Sequence, residues 1–275
     1  MTNTPEFFIV SYGRPDLIRV CIESIREYAP ASPVRVFDNK SEASQEIRAV
    51  LEGLGVEAIF SDKNLGFAAA VNRLAARTCG DFILLNPDAR LTGAPASMIE
   101  AAQASRNLAC VAPGNASTRR YWDSAHRAST AIRSTVSYAG YAEQLRGTFL
   151  SELYGKPPRS GVGYLGGAFL FISREAWVAV GEFDERFFLY CEELDWQTRA
   201  RQLGWEIEFF DEILFEHTDR GTVADSATDT KKSLALLRSS QMQYADKHFG
   251  RVGVQSFKVA VWLLDRVQRS KRRHK

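Results

Sequence analysis

Three carboxylates within four positions, Glu192, Glu193 and Asp195, follow the aromatic stretch "RFFLY" and open the helical pattern "EELDWQTRARQLG". A helix start favours carboxylates through its unpaired amides and its dipole, so capping explains part of the cluster. Three carboxylates exceed what capping requires. The apolar stretch before them would withdraw them from water, and desolvation with like charge lifts a carboxyl pKa toward the range of a general base. Asp195 and Arg199 stand four apart and can pair on one helical face, which gives Asp195 a positioning role and leaves Glu192 or Glu193 to face a substrate.

A second group of candidates sits after apolar runs. "DFILLNPDAR" ends on Asn86-Pro87-Asp88, a carboxylate held just past a buried strand. His217 follows the run "EIEFFDEILFEH" and precedes a polar, glycine-containing loop that could return the imidazole to the same edge. Asp88 and His217 together offer an oxygen and a nitrogen to a divalent cation, with diphosphate oxygens and water completing the shell. The adjacent glycines Gly166 and Gly167 permit positive φ and close approach of a ligand to the backbone, although such pairs also make ordinary turns. No P-loop and no dinucleotide fingerprint is present, which argues against nucleotide hydrolysis by that route and against hydride transfer.

The elements that must position these groups follow from periodicity. "EFFIVS" predicts a strand, and Pro15-Asp16 opens a helix over "DLIRVCIESIREY" with Leu17, Val20, Cys21, Ser24 and Ile25 on one face. "PVRVFDN", "VEAIFSD" and "DFILLNPD" predict further strands, separated by helices over "EASQEIRAVLEGL" and "GFAAAVNRLAART" and followed by one from Pro95 to Arg106, then the strand "ACVAP". Such alternation makes a mostly parallel sheet covered by helices, with chemistry at the carboxyl ends of the strands. Those ends carry Ser11-Tyr12, Asp38-Asn39, Ser61-Asp62 and Asn86-Pro87-Asp88. From Gly114 to about Gly163 periodicity fades, apart from a helical pattern near "GYAEQLRGTFLSELYG". A strand and helix return with "AFLFISREAWVAVG", then "EELDWQTRARQLG", the strand "WEIEFF" and a last long helix from Asp229 to His248.

At 275 residues, 45% hydrophobic and 25% charged, the chain has the composition of a globular protein with one large core. It shows neither a leader pattern nor an apolar run approaching the roughly 18 residues that span a bilayer, which predicts a cytoplasmic protein. Four scattered cysteines predict core residues, without a thiolate metal cage or a disulfide framework. Net charge is only +2, and six Lys or Arg against one acid crowd the stretch from Asp265 to Lys275. A broad nucleic-acid surface is excluded by that balance. The basic tail behind "VAVWLLDRV" could instead hold the protein peripherally on an anionic membrane face.

Taken in order, "SYGRPDLI", "DNKSEAS", "DKNLGFAAAVNRL", "FILLNPDARL", the long segment from "YLGGAFLFIS" to "EELDWQTRARQLGW", and "EHTDRG" resemble the family two glycosyltransferases, in their rhamnosyltransferase-like branch, over residues 7 to 220. The resemblance implies a glycosyltransferase A-type α/β fold, a Rossmann-like mixed sheet flanked by helices, here with C-terminal helices. It divides the chain into a catalytic domain over 1–225, with a donor half to about 112 and an acceptor half beyond, and a helical extension over 226–275. It places Ser11 and Tyr12 beside the nucleotide, Asp38 and Asn39 at base or ribose, and Asp62, Asn64, Gly66, Phe67 and Asn72 in the donor pocket. Asp88 becomes the metal-binding carboxylate of an aspartate-any-aspartate motif whose first position is here Asn86, and His217 the late metal ligand. Gly166 and Gly167 lie close to donor or acceptor.

The same resemblance assigns the general base to the second of the paired acids, which here is Glu193, with Glu192 kept as an alternative. It implies a divalent cation, Mn²⁺ or Mg²⁺, and inverting transfer of a sugar from a nucleotide diphosphate, dTDP-rhamnose or a UDP-sugar, to a hydroxyl of a saccharide, lipid-linked carrier or small metabolite. Two other readings fit less of the pattern: a sugar-phosphate nucleotidyltransferase, for which "SYGRPD" is a poor phosphate loop, and a sugar-nucleotide-binding protein that has lost catalysis.

Overall fold

A computed structural model describes residues 4–117, 125–126, 164–217 and 227–273. In chain order these form β1 (Glu6–Ser11), α1 (Pro15–Tyr28), β2 (Val34–Asp38), α2 (Ser44–Gly53), β3 (Glu57–Phe60), α3 (Phe67–Ala75), β4 (Phe82–Leu85), β5 (Ala89–Leu91), α4 (Ala96–Ala104) and β6 (Leu108–Asn115). They continue as β7 (Ala125–His126), β8 (Tyr164–Leu165), β9 (Phe169–Ile172), α5 (Arg174–Val180), α6 (Glu192–Gln202), β10 (Glu206–His217) and α7 (Ala227–Arg273). The helical pattern expected near residues 140–155 lies outside the described residues.

Eight strands make one sheet in the order β3-β2-β1-β4-β9-β6-β10-β5, and β7 pairs with β8 alongside. The first four are parallel, as alternation with helices requires, whereas β9 runs antiparallel to both neighbours and β5 runs antiparallel to β10. The sheet is therefore mixed, and its departure from the parallel expectation lies in the half that follows β4.

Strand side chains alternate between two apolar layers. Phe7, Ile9, Ile83 and Leu85 face the layer closed by α1, α2 and α4, while Phe8, Phe82 and Leu84 face the layer closed by α3, α5 and α6. Both faces being covered explains why β4 and β9 read as unbroken apolar runs. In α1 the buried face is Ile18, Cys21, Ile22, Ser24 and Ile25, and Val20 is exposed. The expected face of Leu17 and Val20 is thus rotated by one residue, because "LIRVCI" offers apolar residues on both sides and the sheet selects one.

The C-terminal helix is longer than its periodicity indicates. It begins at Ala227 and continues to Arg273, with one break at Gly250, where φ 57° and ψ −152° leave the helical region. Three cysteines are buried and Cys79 is exposed, all of them free.

Candidate functional site

The carboxyl ends of β1, β2, β3, β4, β6 and β10 share one rim of the sheet, and the turn entering antiparallel β9 joins them there. Two strand-end loops are tied together at the β1–β2 side. Asp38 is fully buried and accepts hydrogen bonds from the hydroxyls of Ser41 and Ser44, and Ser41 Oγ accepts from Gly13 N at 2.6 Å. Asn39 accepts from Leu65 N at 2.7 Å and donates to the Gly66 carbonyl at 3.1 Å, fixing the β3–α3 loop. Asn64 accepts from Gly66 N at 3.0 Å within that loop. Ser11 Oγ is buried and has no hydrogen-bond partner among the described residues, while Tyr12 beside it and Asp62 on the loop after β3 are exposed.

At the other side, His217 Nε2 lies 3.0 Å from Asp88 Oδ1 and 3.2 Å from Asn86 Nδ2. Two sequence-predicted partners 129 residues apart thus meet, because β4 and β10 end at the same rim. The backbone of Asn86 donates to the Ala168 carbonyl at 3.0 Å, which draws the glycine turn against the Asp88 group. A Cβ on Gly167 would lie 3.6 Å from Glu193 Oε1, so that turn also touches the acidic helix. Tyr164 OH, just before the glycines, donates to Glu193 Oε1 at 3.1 Å. An unbroken series of contacts therefore joins His217 and Asp88 to Glu193 through residues 164–168.

The acids of α6 differ in their surroundings. Burial and the neighbouring Glu193 push the Glu192 carboxyl well up. Burial also raises Glu193, but hydrogen bonds from its own backbone, Tyr164 and Gly167 oppose the rise. Glu192 thus holds its proton more firmly, and Glu193 is the member supported as an anion. Asp195 points elsewhere. It is fully buried and contacts Arg199 Nε at 2.9 Å, Lys247 Nζ at 2.7 Å and His248 Nε2 at 2.7 Å. Burial would raise its carboxyl, yet hydrogen bonds from His248 and Lys247 and the charge of Arg199 hold it below the usual range. The expected pairing with Arg199 is present, and the two contacts from α7 are additional.

Asn72, expected in the donor pocket, is buried and hydrogen-bonded within the protein. Its amide is committed to Phe183, accepting from Phe183 N at 3.1 Å and donating to the Phe183 carbonyl at 2.9 Å, with a further contact to Glu185. It fastens α3 to the segment that leads into α6. Phe67 contributes to the same fastening through its amide, which donates to the Phe188 carbonyl at 2.7 Å. Among the described residues the non-glycine positions with left-handed φ are Arg14, Lys40, Tyr190 and Cys191, all on rim loops or immediately before Glu192. Left-handed backbone costs about 1–2 kcal/mol per residue, so consecutive Tyr190 and Cys191 must be held by their surroundings.

Among the described residues no group of three or more His, Cys, Asp or Glu side chains gathers as a complete cation cage. Asp88, His217 and the Asn86 amide do fit a cation that takes its remaining oxygens from a bound diphosphate, as Mg²⁺-type sites commonly do.

This architecture, a mixed sheet between helices with acidic and polar groups gathered at one rim, is the glycosyltransferase A-type fold. It superposes on GalNAc-T7 in complex with UDP, GalNAc and Mn²⁺ with TM-score 0.54 and 17% identity, over 78% of this chain and 43% of that one. Staphylococcus aureus TarS 1–349 in complex with UDP superposes with TM-score 0.53 and 10% identity, over 86% of this chain and 65% of that one. Residues 6–150 match the Glycosyl transferase family 2 profile, and the chain belongs to that family. Over 96 residues it is 32% identical to the N-acetylglucosaminyl-diphospho-decaprenol L-rhamnosyltransferases of two Mycobacterium tuberculosis strains, CDC 1551 / Oshkosh and H37Rv. The match spans 34% of this chain and 30% of those proteins.

Proposed function

We propose that this protein transfers a hexosyl unit from a nucleotide-diphosphate sugar to an acceptor hydroxyl with inversion at the anomeric carbon. The observation that supports the reading is the contact series from His217 and Asp88 through Asn86, Ala168 and Gly167 to Glu193, which joins the candidate cation ligands to the candidate base. Glu193 takes the acceptor proton as that oxygen attacks the anomeric carbon and the bond to the diphosphate breaks. Tyr164 holds the carboxylate in place, and the hydrogen-bonded loops at Asp38, Asn39 and Asn64 form the nucleotide side of the pocket. Asp88 and His217 would hold a divalent cation, which would supply charge neutralisation for the departing diphosphate. The name of the mycobacterial relatives favours a deoxyhexose such as rhamnose as the transferred sugar.

A donor panel read by thermal shift tests this reading. Stabilisation is expected only when a nucleotide-diphosphate sugar and Mn²⁺ or Mg²⁺ are added together, since the described residues offer too few ligands to hold the cation alone. An Asp88→Ala variant should lose the cation-dependent part. If no donor raises the melting temperature with either cation, the reading fails.

We further propose that the protein works against a membrane surface. No helix among the described residues is long and apolar enough to cross a membrane. In the second half of α7, however, Val252, Val259 and Trp262 are 77%, 56% and 54% exposed and share one face by helical spacing. Arg266 stacks over the Trp262 ring at 4.3 Å, an arrangement that suits an aromatic at the headgroup level beneath cations. Full-length protein should sediment with vesicles containing anionic lipid and remain in solution with neutral ones, and a Val259→Asp/Trp262→Glu variant should remain in solution with both. Equal binding by variant and parent would remove this helix from consideration.

A further inference from the structure

The segment between α5 and α6, residues 181–191, carries Glu192 and Glu193 on its far end and finishes in the two left-handed residues Tyr190 and Cys191. Its first half is fixed by the catalytic domain itself: Arg199 donates to the carbonyls of Val180 and Glu182, Trp196 Nε1 donates to the Gly181 carbonyl, and Asn72 holds Phe183. Its second half is fixed from α7. Ser240 Oγ donates to the Leu189 carbonyl at 2.7 Å, and Tyr244 packs in a small apolar cluster with Tyr164, Phe187, Cys191 and Leu194.

Lys247 stands at the junction. Its Nζ lies 2.7 Å from Asp184 Oδ2, near the start of the segment, and 2.7 Å from Asp195 Oδ1, in the first turn of α6. It also lies 5.7 Å from the centre of the Phe187 ring. One ammonium group thus joins both sides of the left-handed turn, with His248 donating its own contact to Asp195. A side chain whose task was only to attach a C-terminal extension would need one such partner.

We infer that Lys247 is a positioning residue for the general base: by bridging Asp184 and Asp195 it holds Tyr190 and Cys191 in their left-handed conformation and fixes the direction in which Glu193 enters the site. This rests on Glu193 being the base, and extends it by making α7 part of the catalytic apparatus. The contacts of Lys247 are with Asp184, Asp195 and the Phe187 ring, away from the loops at Asp38, Asn39 and Asn64, so its loss acts on Glu193 geometry and spares nucleotide binding. Misplacement of a reacting group by about 1 Å can lower a rate about a hundredfold.

The test compares full-length parent, Lys247→Met, Lys247→Arg and Ser240→Ala. Hydrogen–deuterium exchange should show faster uptake over residues 182–195 in Lys247→Met, with β1 and β2 unchanged and UDP affinity in the presence of Mn²⁺ within about twofold of the parent. Turnover in a transfer assay should fall at least about tenfold with little change in KM for donor, and Lys247→Arg should restore both exchange and turnover. Ser240→Ala, a milder change that keeps the ion pairs, should loosen only the part around Leu189. Parental exchange over 182–195 in Lys247→Met overturns the inference, and so does raised exchange with parental turnover. Raised exchange in Lys247→Met from a parent that shows no transfer at all supports the bridge and counts against the catalytic reading.

Discussion

Glu193→Gln is expected to bind donor as the parent does and to lose about 10²- to 10⁴-fold in turnover, the range removed with a general base. The substitution keeps size and leaves an oxygen for Tyr164, so the effect isolates proton uptake. Glu192→Gln is expected to keep turnover within about tenfold, because burial and the neighbouring Glu193 push that carboxyl well up and Gln resembles its neutral form. Reversal of the two results would move the base to Glu192, and parental turnover in both would favour a sugar-nucleotide-binding protein without catalysis. The pH dependence follows from the same environment. Burial raises Glu193, so the acid limb of kcat against pH should lie above the ordinary glutamate range, with activity rising as pH rises and the base ionises. Tyr164 donates to the ionised form and lowers that pKa. Tyr164→Phe should therefore move the acid limb to higher pH, and a limb moved to lower pH would contradict the assigned contact.

Gly66→Ala is expected to cost about 2–5 kcal/mol of stability and to remove activity with it, combining backbone strain with overpacking. Gly66 adopts φ 83° and ψ 171°, a conformation open to glycine. A Cβ there would overlap the Phe188 carbonyl oxygen and lie 2.8 Å from a ring carbon of the same residue. Neither obstacle yields easily, since that carbonyl accepts from Phe67 N and is part of the segment leading to Glu192. Chemical denaturation would register the loss as a lowered midpoint. A variant that melts with the parent and still turns over would show that the segment has another stable route past α3.

The first four strands and their helices can be read from periodicity because each is a local pattern with a local cause. β5 cannot. It is three residues, "ARL", and becomes a strand only by pairing with β10, more than a hundred residues later. The rim was legible for a similar reason: strand ends in an alternating α/β pattern must converge, so Asp88 and His217 could be paired in advance, whereas the contact of the glycine turn with Glu193 had no sequence signal. Tyr164 carried no signal, since a tyrosine before a glycine pair reads as turn or core and its partner lies 29 residues on. The closure of the Asn72 amide on the backbone of Phe183 had no local signal, since the two residues lie 111 positions apart. For Asp195 the local partner Arg199 was visible, and the two from α7 were hidden by a separation of more than fifty residues.

The left-handed pair at Tyr190 and Cys191 has a consequence for synthesis. Its restraints come from both directions along the chain, from Gly66 to Asn72 on one side and from Ser240 to His248 on the other. On a ribosome the parallel unit β1–β4, whose strands pair among themselves, can assemble while later residues are still being added. The acidic helix can settle only after residue 248 has emerged, so the first strands of the sheet are in place before Glu192 and Glu193 are. A chain arrested before residue 240 should resist protease over residues 6–85 and be cut readily between 181 and 192, and equal resistance in the two regions would refute this order.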